Sequence, residues 1–438
     1  MSARHRRPLI PVAPTILLGA IAGAEIGVHA TLTRHGLAVS LPVYGYAVIG
    51  YLALKLGLAC LYQPVVADSV DDYLLAAVVT AHNEDPGVFR QCLDSLLAQS
   101  RPPDVLTIID DGSTAPDCFR MARASRAAFE ALGITYHVIR HQQNRGKREG
   151  LANGFRIAWD ADIYVCIDSD TVLKYDAMEK ALQYFDSPRV QAVTGWVLAA
   201  NWDFNLLTRL IDLRYANAFL GERAAYSRLG SVLCACGSLA LYRGPVVRKY
   251  LGDFLSQQFL GRPCTYGDDR RLTYYCLREG QVLLAANAIA WTMVPQTMGH
   301  FLRQQLRWSK SFMRESWEML TGMSVRRICW WLACLEITTW IAFTTVLVYV
   351  MLVRPIFTGH VSIASYLTAT LLLSYARSGH YLRADHPHCG RFDRVITFAL
   401  APVYGLVHIV LLLPLRLVAV CTLRDNSWGT RSQVEVTA

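Results

Sequence analysis

The chain lacks the usual glycine-rich devices for holding a nucleotide. No Gly-x-Gly-x-x-Gly fingerprint follows its first strand-like segment and no Walker loop is present, which argues against a dehydrogenase-type dinucleotide site and a P-loop enzyme. A second cysteine pair is also missing. Cys234-Ala235-Cys236 therefore reads as buried small residues rather than a zinc site, as does most of the rest of the 12 cysteines, which fall in expected cytosol or apolar spans where stable disulfides do not form. The His380, His386, His388, Cys389 group reads as solvated interfacial side chains. Net charge is +9, from 43 basic and 34 acidic residues, but the excess sits largely beside apolar segments and in short clusters. Anionic lipid and nucleotide phosphates account for it, without a nucleic-acid partner.

Apolar sequence is abundant and segregated. Hydrophobic residues make up 53% of the 438, and residues 9–32 and 37–62 are each long enough to cross a hydrocarbon core of roughly 30 Å. A second span following at once argues against a cleaved signal after Arg4-His5-Arg6-Arg7. By the positive-inside rule, residues 1–67 form a pair of spans that return residues 68–300 to the cytosol. Residues 328–394 are expected to hold another pair, 328–353 and 356–376, followed by a basic cytosolic stretch. Pro402, Pro414 and Arg416 make 395–423 an interfacial or re-entrant segment, because a full span would put Arg424 and Arg431 outside. The expected location is a multi-pass protein of the cell membrane with its catalytic domain in the cytosol.

Residues 68–300 read as alternating strands and helices. Apolar runs at 73–80, 105–109, 136–140, 163–167 and 190–194 predict strands, and 88–99, 150–159 and 176–185 predict helices between them. That order predicts an α/β domain with a mostly parallel, Rossmann-like sheet, in which ligands bind at the carboxyl ends of strands. Polar loops fall at those ends: Asp110-Asp111-Gly112-Ser113, the basic Asn144-Arg145-Gly146-Lys147-Arg148, and Asp168-Ser169-Asp170-Thr171. Gly146 allows close backbone approach to a diphosphate, and paired carboxylates after a buried strand suit a divalent cation shared with phosphates. Downstream, residues 301–327 predict an amphipathic interface helix carrying Gln304-x-x-Arg307-Trp308. Arg307 offers a rigid donor fork to a diphosphate and Trp308 a flat face to a sugar.

The ordered set Asp110-Asp111-Gly112, Gly146-Lys147-Arg148, Asp168-Ser169-Asp170, Gly267-Asp268-Asp269-Arg270 and Gln304-x-x-Arg307-Trp308 resembles the processive family-2 glycosyltransferases of the GT-A fold. Longer matches, including 205–210, 222–225, 259–263, 310–316 and Trp428-Gly429-Thr430-Arg431, are similar to the class I, streptococcal-type hyaluronan synthases. The resemblance implies that Asp111, Lys147, Arg148, Asp168 and Arg307 bind the UDP-sugar, and that Asp170 carries Mg²⁺ or Mn²⁺. It makes Asp269 the catalytic base, with Asp268 as the competing choice. Gln304, Trp308, Cys236 and Tyr242 would meet the acceptor, and Trp428 with Arg431, in 424–438, would form a loop covering the nucleotide. The implied partners are UDP-GlcNAc, UDP-GlcA, the nascent polysaccharide and membrane lipid.

The departures cluster around the acceptor. Ala235-Cys236-Gly237-Ser238-Leu239 stands where the family typically reads Cys-Ser-Gly-Pro-Leu, and His82 stands where tyrosine is usual. Chitooligosaccharide synthases share Glu222-Arg223-Ala224-Ala225 and are the main rival. Asp268 and the Trp428-Gly429-Thr430-Arg431 ending favour hyaluronan synthase. A non-catalytic polysaccharide exporter would be expected to lose Asp170, Asp269 or the Gln304 motif, and all are present. Glu25 and Glu336, costly in lipid, either face a polysaccharide path or pair structurally, and Lys55 snorkels toward the cytosolic surface.

Overall fold

A computed structural model describes residues 41–67, 72–349, 353–358, 363–384 and 386–425. The expected span 9–32, with Glu25, and the Trp428 and Arg431 motif lie outside the described residues.

Strands β1 (Leu75–Ala81), β2 (Val105–Asp110), β3 (Thr135–Arg140), β4 (Ile163–Asp168), β5 (Thr171–Leu173), β6 (Val190–Ala199) and β7 (Ala240–Arg243) come first along the chain. After a small hairpin of β8 (Gln258–Phe259) and β9 (Arg262–Pro263) comes β10 (Gln281–Thr292). The main sheet has 8 strands in the order β3-β2-β1-β4-β7-β6-β10-β5. Strand β1 is paired in parallel on both sides and buried along its whole length, so Leu75, Ala76, Ala77, Val78 and Val79 are apolar on both faces. Strand β7 runs antiparallel to both neighbours, β4 and β6, and β5 runs antiparallel to β10. One apolar layer gathers Val78, Phe155 and Tyr164 on one face; Val79, Phe89 and Leu93 pack on the other.

Close packing sets the position of the basic loop. A β-carbon on Gly150 or Gly154 would lie 2.8 Å from Thr80 Cγ2 or 2.5 Å from Val78 Cγ1, so the helix Lys147–Ile157 lies flush on β1. Its first residue, Lys147, is thereby held over the carboxyl ends of the strands. On the other face, Asp85 caps the helix Pro86–Leu97 by accepting from the amides of Gly87 (2.8 Å) and Val88 (3.1 Å).

The sheet leads into a long helix, Met298–Gly322, capped by Thr297. Its buried face includes Phe301, Lys310, Arg314, Glu315 and Met319. Helices Ile328–Val348, Arg354–Thr358 and Ile363–Ser378 follow, and then a helical run over 401–421 that contains a π-helical turn, His408–Leu412. Among the described residues, 2 helical stretches have the length and apolarity to cross a membrane, Ile328–Thr345 and Ala401–Cys421; Ile49–Cys60 is shorter. Among the described residues no disulfide links the cysteines.

Candidate active site

The carboxyl ends of β1, β2 and β4 converge with the start of the helix Asp268–Glu279. Asp111, wholly buried after β2, accepts the backbone amides of Arg145 and Gly146, each at 2.8 Å, and pairs with His141 Nδ1 at 2.8 Å. Its carboxylate is thus spent on shaping the basic loop, where Gly146 adopts φ +90°. His82 meets the same turn, its Nδ1 lying 2.8 Å from the Asp111 carbonyl.

The paired basic residues separate. Lys147 Nζ bonds Asp168 Oδ1 and lies 3.5 Å from Asp268 Oδ2, so one ammonium joins the donor-side and acceptor-side acidic motifs. Arg148 is not brought to this point. It is buried, stacks on Phe254 at 5.1 Å, and donates to the carbonyls of Phe254 (3.0 Å) and Tyr266 (3.3 Å). Successive helical residues diverge by roughly 100°, and here only the first faces the cleft.

Asp170 accepts from Thr292 Oγ1 at 3.0 Å and Thr171 Oγ1 at 3.3 Å. Burial pushes its carboxyl well above the ordinary aspartate value, and the nearby carboxylates of Glu84 and Asp168 push the same way. Glu84 is itself fixed by Ser169 Oγ at 2.8 Å. An excess of hard, negative oxygen donors fits Mg²⁺ or Mn²⁺ held by one or two carboxylates together with substrate phosphates. No group of 3 or more candidate ligands occurs among the described residues, so the protein alone does not complete a coordination shell.

Asp268 and Asp269 open the next helix after Gly267, whose φ is +86°. A β-carbon on Gly267 would lie 2.4 Å from Ser311 Oγ, so glycine permits the long helix to approach. Asp269 Oδ1 accepts the Arg270 amide at 2.8 Å and Oδ2 accepts the Cys234 thiol at 3.3 Å. Burial and the adjacent Asp268 raise its carboxyl, while Arg270 and Lys147 pull it down. Such a carboxylate, partly accessible and more basic than usual, suits proton abstraction.

The acceptor-side residues divide. Trp308 is 41% exposed, and its ring lies 6.4 Å from that of Tyr215. Cys236 is half-buried and its amide donates to Thr194 Oγ1 at 3.0 Å. Tyr242 lies fully buried beneath this loop, with its hydroxyl 3.4 Å from the Ala235 carbonyl, and so supports the loop from below. Gln304 Oε1 is buried and meets no hydrogen-bond partner among the described residues, and Arg307 is half-buried on the same helix.

A family model described as glycosyltransferase like family 2 matches residues 73–311. A hyaluronan synthase of Streptococcus pyogenes serotype M3 is 36% identical over 404 residues, which are 90% of this chain and 91% of that protein. The chain belongs to family 2 of the glycosyltransferases, in the branch of the hyaluronan synthases. An N-acetylglucosaminyltransferase of Rhizobium leguminosarum bv. viciae is 33% identical over 368 residues, 82% of each chain. In fold, the chain resembles the mannosyltransferase PcManGT from Pyrobaculum calidifontis, with a TM-score of 0.54 at 17% identity, covering 91% of this chain and 99% of that one. The GT-A architecture expected from the sequence is present.

Sequence reasoning did not single out Glu84, Tyr215 or Thr292. Glu84 had a signal, since it stands in the loop after β1 at a strand's carboxyl end. Tyr215 and Thr292 had none: the one lies on an ordinary helix, and the other ends β10, whose β-bulge between Ala285 and Ile289 obscures its periodicity. Ser238, seen in the sequence only as a departure from the family, donates to Asp168 Oδ2 at 3.2 Å.

Proposed function

We propose a membrane-embedded, processive, inverting transferase that joins N-acetylglucosamine and glucuronate from UDP-GlcNAc and UDP-GlcA into hyaluronan and extrudes it. The observation that carries this reading is the bridge made by Lys147 between Asp168 and Asp268, one residue from the basic carboxylate Asp269. Coverage of 90% of the chain by a hyaluronan synthase supports the choice of product.

Asp269 takes the proton from the acceptor hydroxyl, and that oxygen bonds to the sugar C1 on the face opposite the diphosphate. The C1–O bond to UDP breaks with its electron pair, and UDP leaves. A divalent cation on Asp170 would offset charge on the diphosphate. Lys147 and Arg307 supply fixed positive charge to the same group, and Trp308 with Tyr215 offers aromatic faces to the acceptor ring. Asp111 acts through the loop it shapes and Arg148 through the core it fastens, so neither contacts phosphate in this reading.

The membrane assignment rests on the apolar helices. Both ends of 391–425 are tied to the catalytic side, through Arg209 and Asp393 at 3.5 Å and through Arg314 to the Leu423 carbonyl at 3.1 Å. These ties support the re-entrant or interfacial course of 395–423. They also support the reading in which Trp428 and Arg431 belong to a loop covering the nucleotide.

The test is incubation of membranes with each donor alone and then both, followed by hyaluronidase or chitinase. Polymer that needs both donors and is cut by hyaluronidase is expected. Polymer from UDP-GlcNAc alone, cut by chitinase, would replace this reading with a chitooligosaccharide synthase.

A further inference from the structure

The turn Cys236-Gly237-Ser238-Leu239 lies directly on the ion pair that joins the two acidic motifs, and the transfer chemistry above gives Ser238 no part. A β-carbon on Gly237 would lie 3.0 Å from Lys147 Nζ, 3.5 Å from Asp168 Oδ1 and 3.6 Å from Asp168 Oδ2. Glycine thus lets the main chain cover the pair from the acceptor side. The turn is closed by the Leu239 amide, which donates to the Cys236 carbonyl at 3.1 Å. Both of its ends are fastened to β6. The Cys236 amide donates to Thr194 Oγ1 at 3.0 Å, and the Leu239 carbonyl accepts the Gly195 amide at 2.9 Å. Ser238, held between these anchors, is buried, so its hydroxyl has little room to turn.

The hydrogen bonds here run in one direction. The Cys236 thiol donates to Ser238 Oγ across 3.8 Å, a long and weak contact of the kind sulfur makes. Ser238 Oγ in turn donates its single proton to Asp168 Oδ2 at 3.2 Å. The other carboxylate oxygen, Oδ1, is taken by the Lys147 ammonium, which also lies 3.5 Å from Asp268 Oδ2. An ionised carboxylate offers about four lone-pair sites, and these two bonds occupy one on each oxygen. The Asp168 side chain is 33% exposed, which leaves the carboxylate an open edge.

We propose that Ser238 is a positioning residue for the donor. Ser238 and Lys147 take one oxygen each of the Asp168 carboxylate and fix the plane of that group, so that its open lone pairs accept a hydroxyl of the transferred sugar. This rests on the reading of the chain as a UDP-sugar transferase and deepens it. An ammonium is a compact point charge about which a carboxylate can swivel. A second, directional bond on the opposite oxygen removes that freedom before the sugar arrives, so less ordering remains to be done on binding. The same bond makes the donor half responsive to the acceptor half, because the turn that aims Ser238 also carries Cys236.

The test is calorimetric titration of the full chain in vesicles with Mg²⁺ present, using UDP and UDP-GlcNAc as separate probes. Ser238→Ala should weaken UDP-GlcNAc about tenfold, the low end for a hydrogen bond to a charged group because Asp168 is partly exposed. UDP lacks the transferred sugar, and its affinity should stay within about twofold of the unaltered protein. In an Asp168→Ala background the same substitution should change nothing further, since a residue acting through Asp168 then has nothing to position. During synthesis the loss should fall on the KM for UDP-GlcNAc rather than on kcat, as removal of binding common to ground and transition states does. Ser238→Cys, close in shape but a weak donor, should show the same pattern, so the answer does not depend on one variant accumulating. Equal weakening of UDP and UDP-GlcNAc, or the same loss repeated in the Asp168→Ala background, would make Ser238 a stiffener of its turn and overturn the proposal. So would unchanged UDP-GlcNAc affinity in either variant, or a fall in kcat at constant KM. Unaltered protein that binds neither UDP nor UDP-GlcNAc would instead sink the transferase reading, and the proposal with it.

Discussion

Replacement of Asp269 by asparagine isolates proton abstraction from everything else the site does. Asparagine has nearly the same shape, and its amide oxygen can keep the 2.8 Å bond from the Arg270 amide. What changes locally is the 3.3 Å contact from the Cys234 thiol, a weak bond worth at most about 1 kcal/mol. The Lys147 bridge to Asp168 does not involve Asp269, so donor binding should survive. A positioned general base contributes roughly 10²–10⁴ in rate, or about 3–5 kcal/mol of barrier. Polymer synthesis should therefore fall by at least about a hundredfold, while UDP affinity shifts by less than about fivefold, the equivalent of 1 kcal/mol. Radiolabelled incorporation into polymer measures the first and calorimetric titration of UDP the second. A variant that keeps a tenth or more of its rate, or that loses rate and UDP affinity together, would refute the assignment.

Other perturbations read the remaining parts. Asp268→Asn removes the like charge that raises the Asp269 carboxyl, so the acid limb of the pH–rate profile should move to lower pH; an unmoved limb would separate the two groups. Asp170→Asn should make UDP binding insensitive to Mg²⁺, Mn²⁺ or chelator in calorimetry. In the unaltered protein, protons should compete with the cation over a pH range above that of an ordinary aspartate, because the Asp170 carboxyl is raised, so metal-dependent binding weakens as pH falls. Arg148→Met strands the carbonyls of Phe254 and Tyr266 and should cost about 2–4 kcal/mol of stability, seen as a lower Tm, with donor KM unchanged in the folded fraction. A donor KM raised tenfold at unchanged Tm would return Arg148 to the phosphate site.

The parallel half of the sheet was legible because a strand buried on both faces has no polar alternation to confuse it: residues 73–80, 105–109, 136–140 and 163–167 correspond to β1, β2, β3 and β4 within a few residues. Strand β7 was not, since its four residues, Ala240–Arg243, lie between a tight loop and a helix and are too few to show a period. The acidic motifs were readable because carboxylates at strand ends need a reason to be there. The fates of Lys147 and Arg148 were not: adjacent cations look equivalent in sequence, and only the packing of Phe254 and Tyr266 decides which is consumed by the core. Likewise the burial of Tyr242 follows from its place on β7, a strand the periodicity did not reveal.

The reversed direction of β7 defines a natural seam for re-engineering. Because it runs against β4, with Cys166 beside Ala240 and Ile163 beside Arg243, the loop leading into it arrives at the same edge where β4 delivers Asp168. That loop is fastened outside the seam by the amide of Val232 to the Val282 carbonyl (3.0 Å) and by the amide of Gly244 to the Asp162 carbonyl (2.7 Å). Residues 233–243 therefore form an exchangeable cassette between fixed clamps. Swapping it would alter what the incoming sugar end meets at Cys236, and would touch the donor half through the pairing of β7 with β4 and the bond from Ser238 to Asp168, and the base through the Cys234 thiol on Asp269.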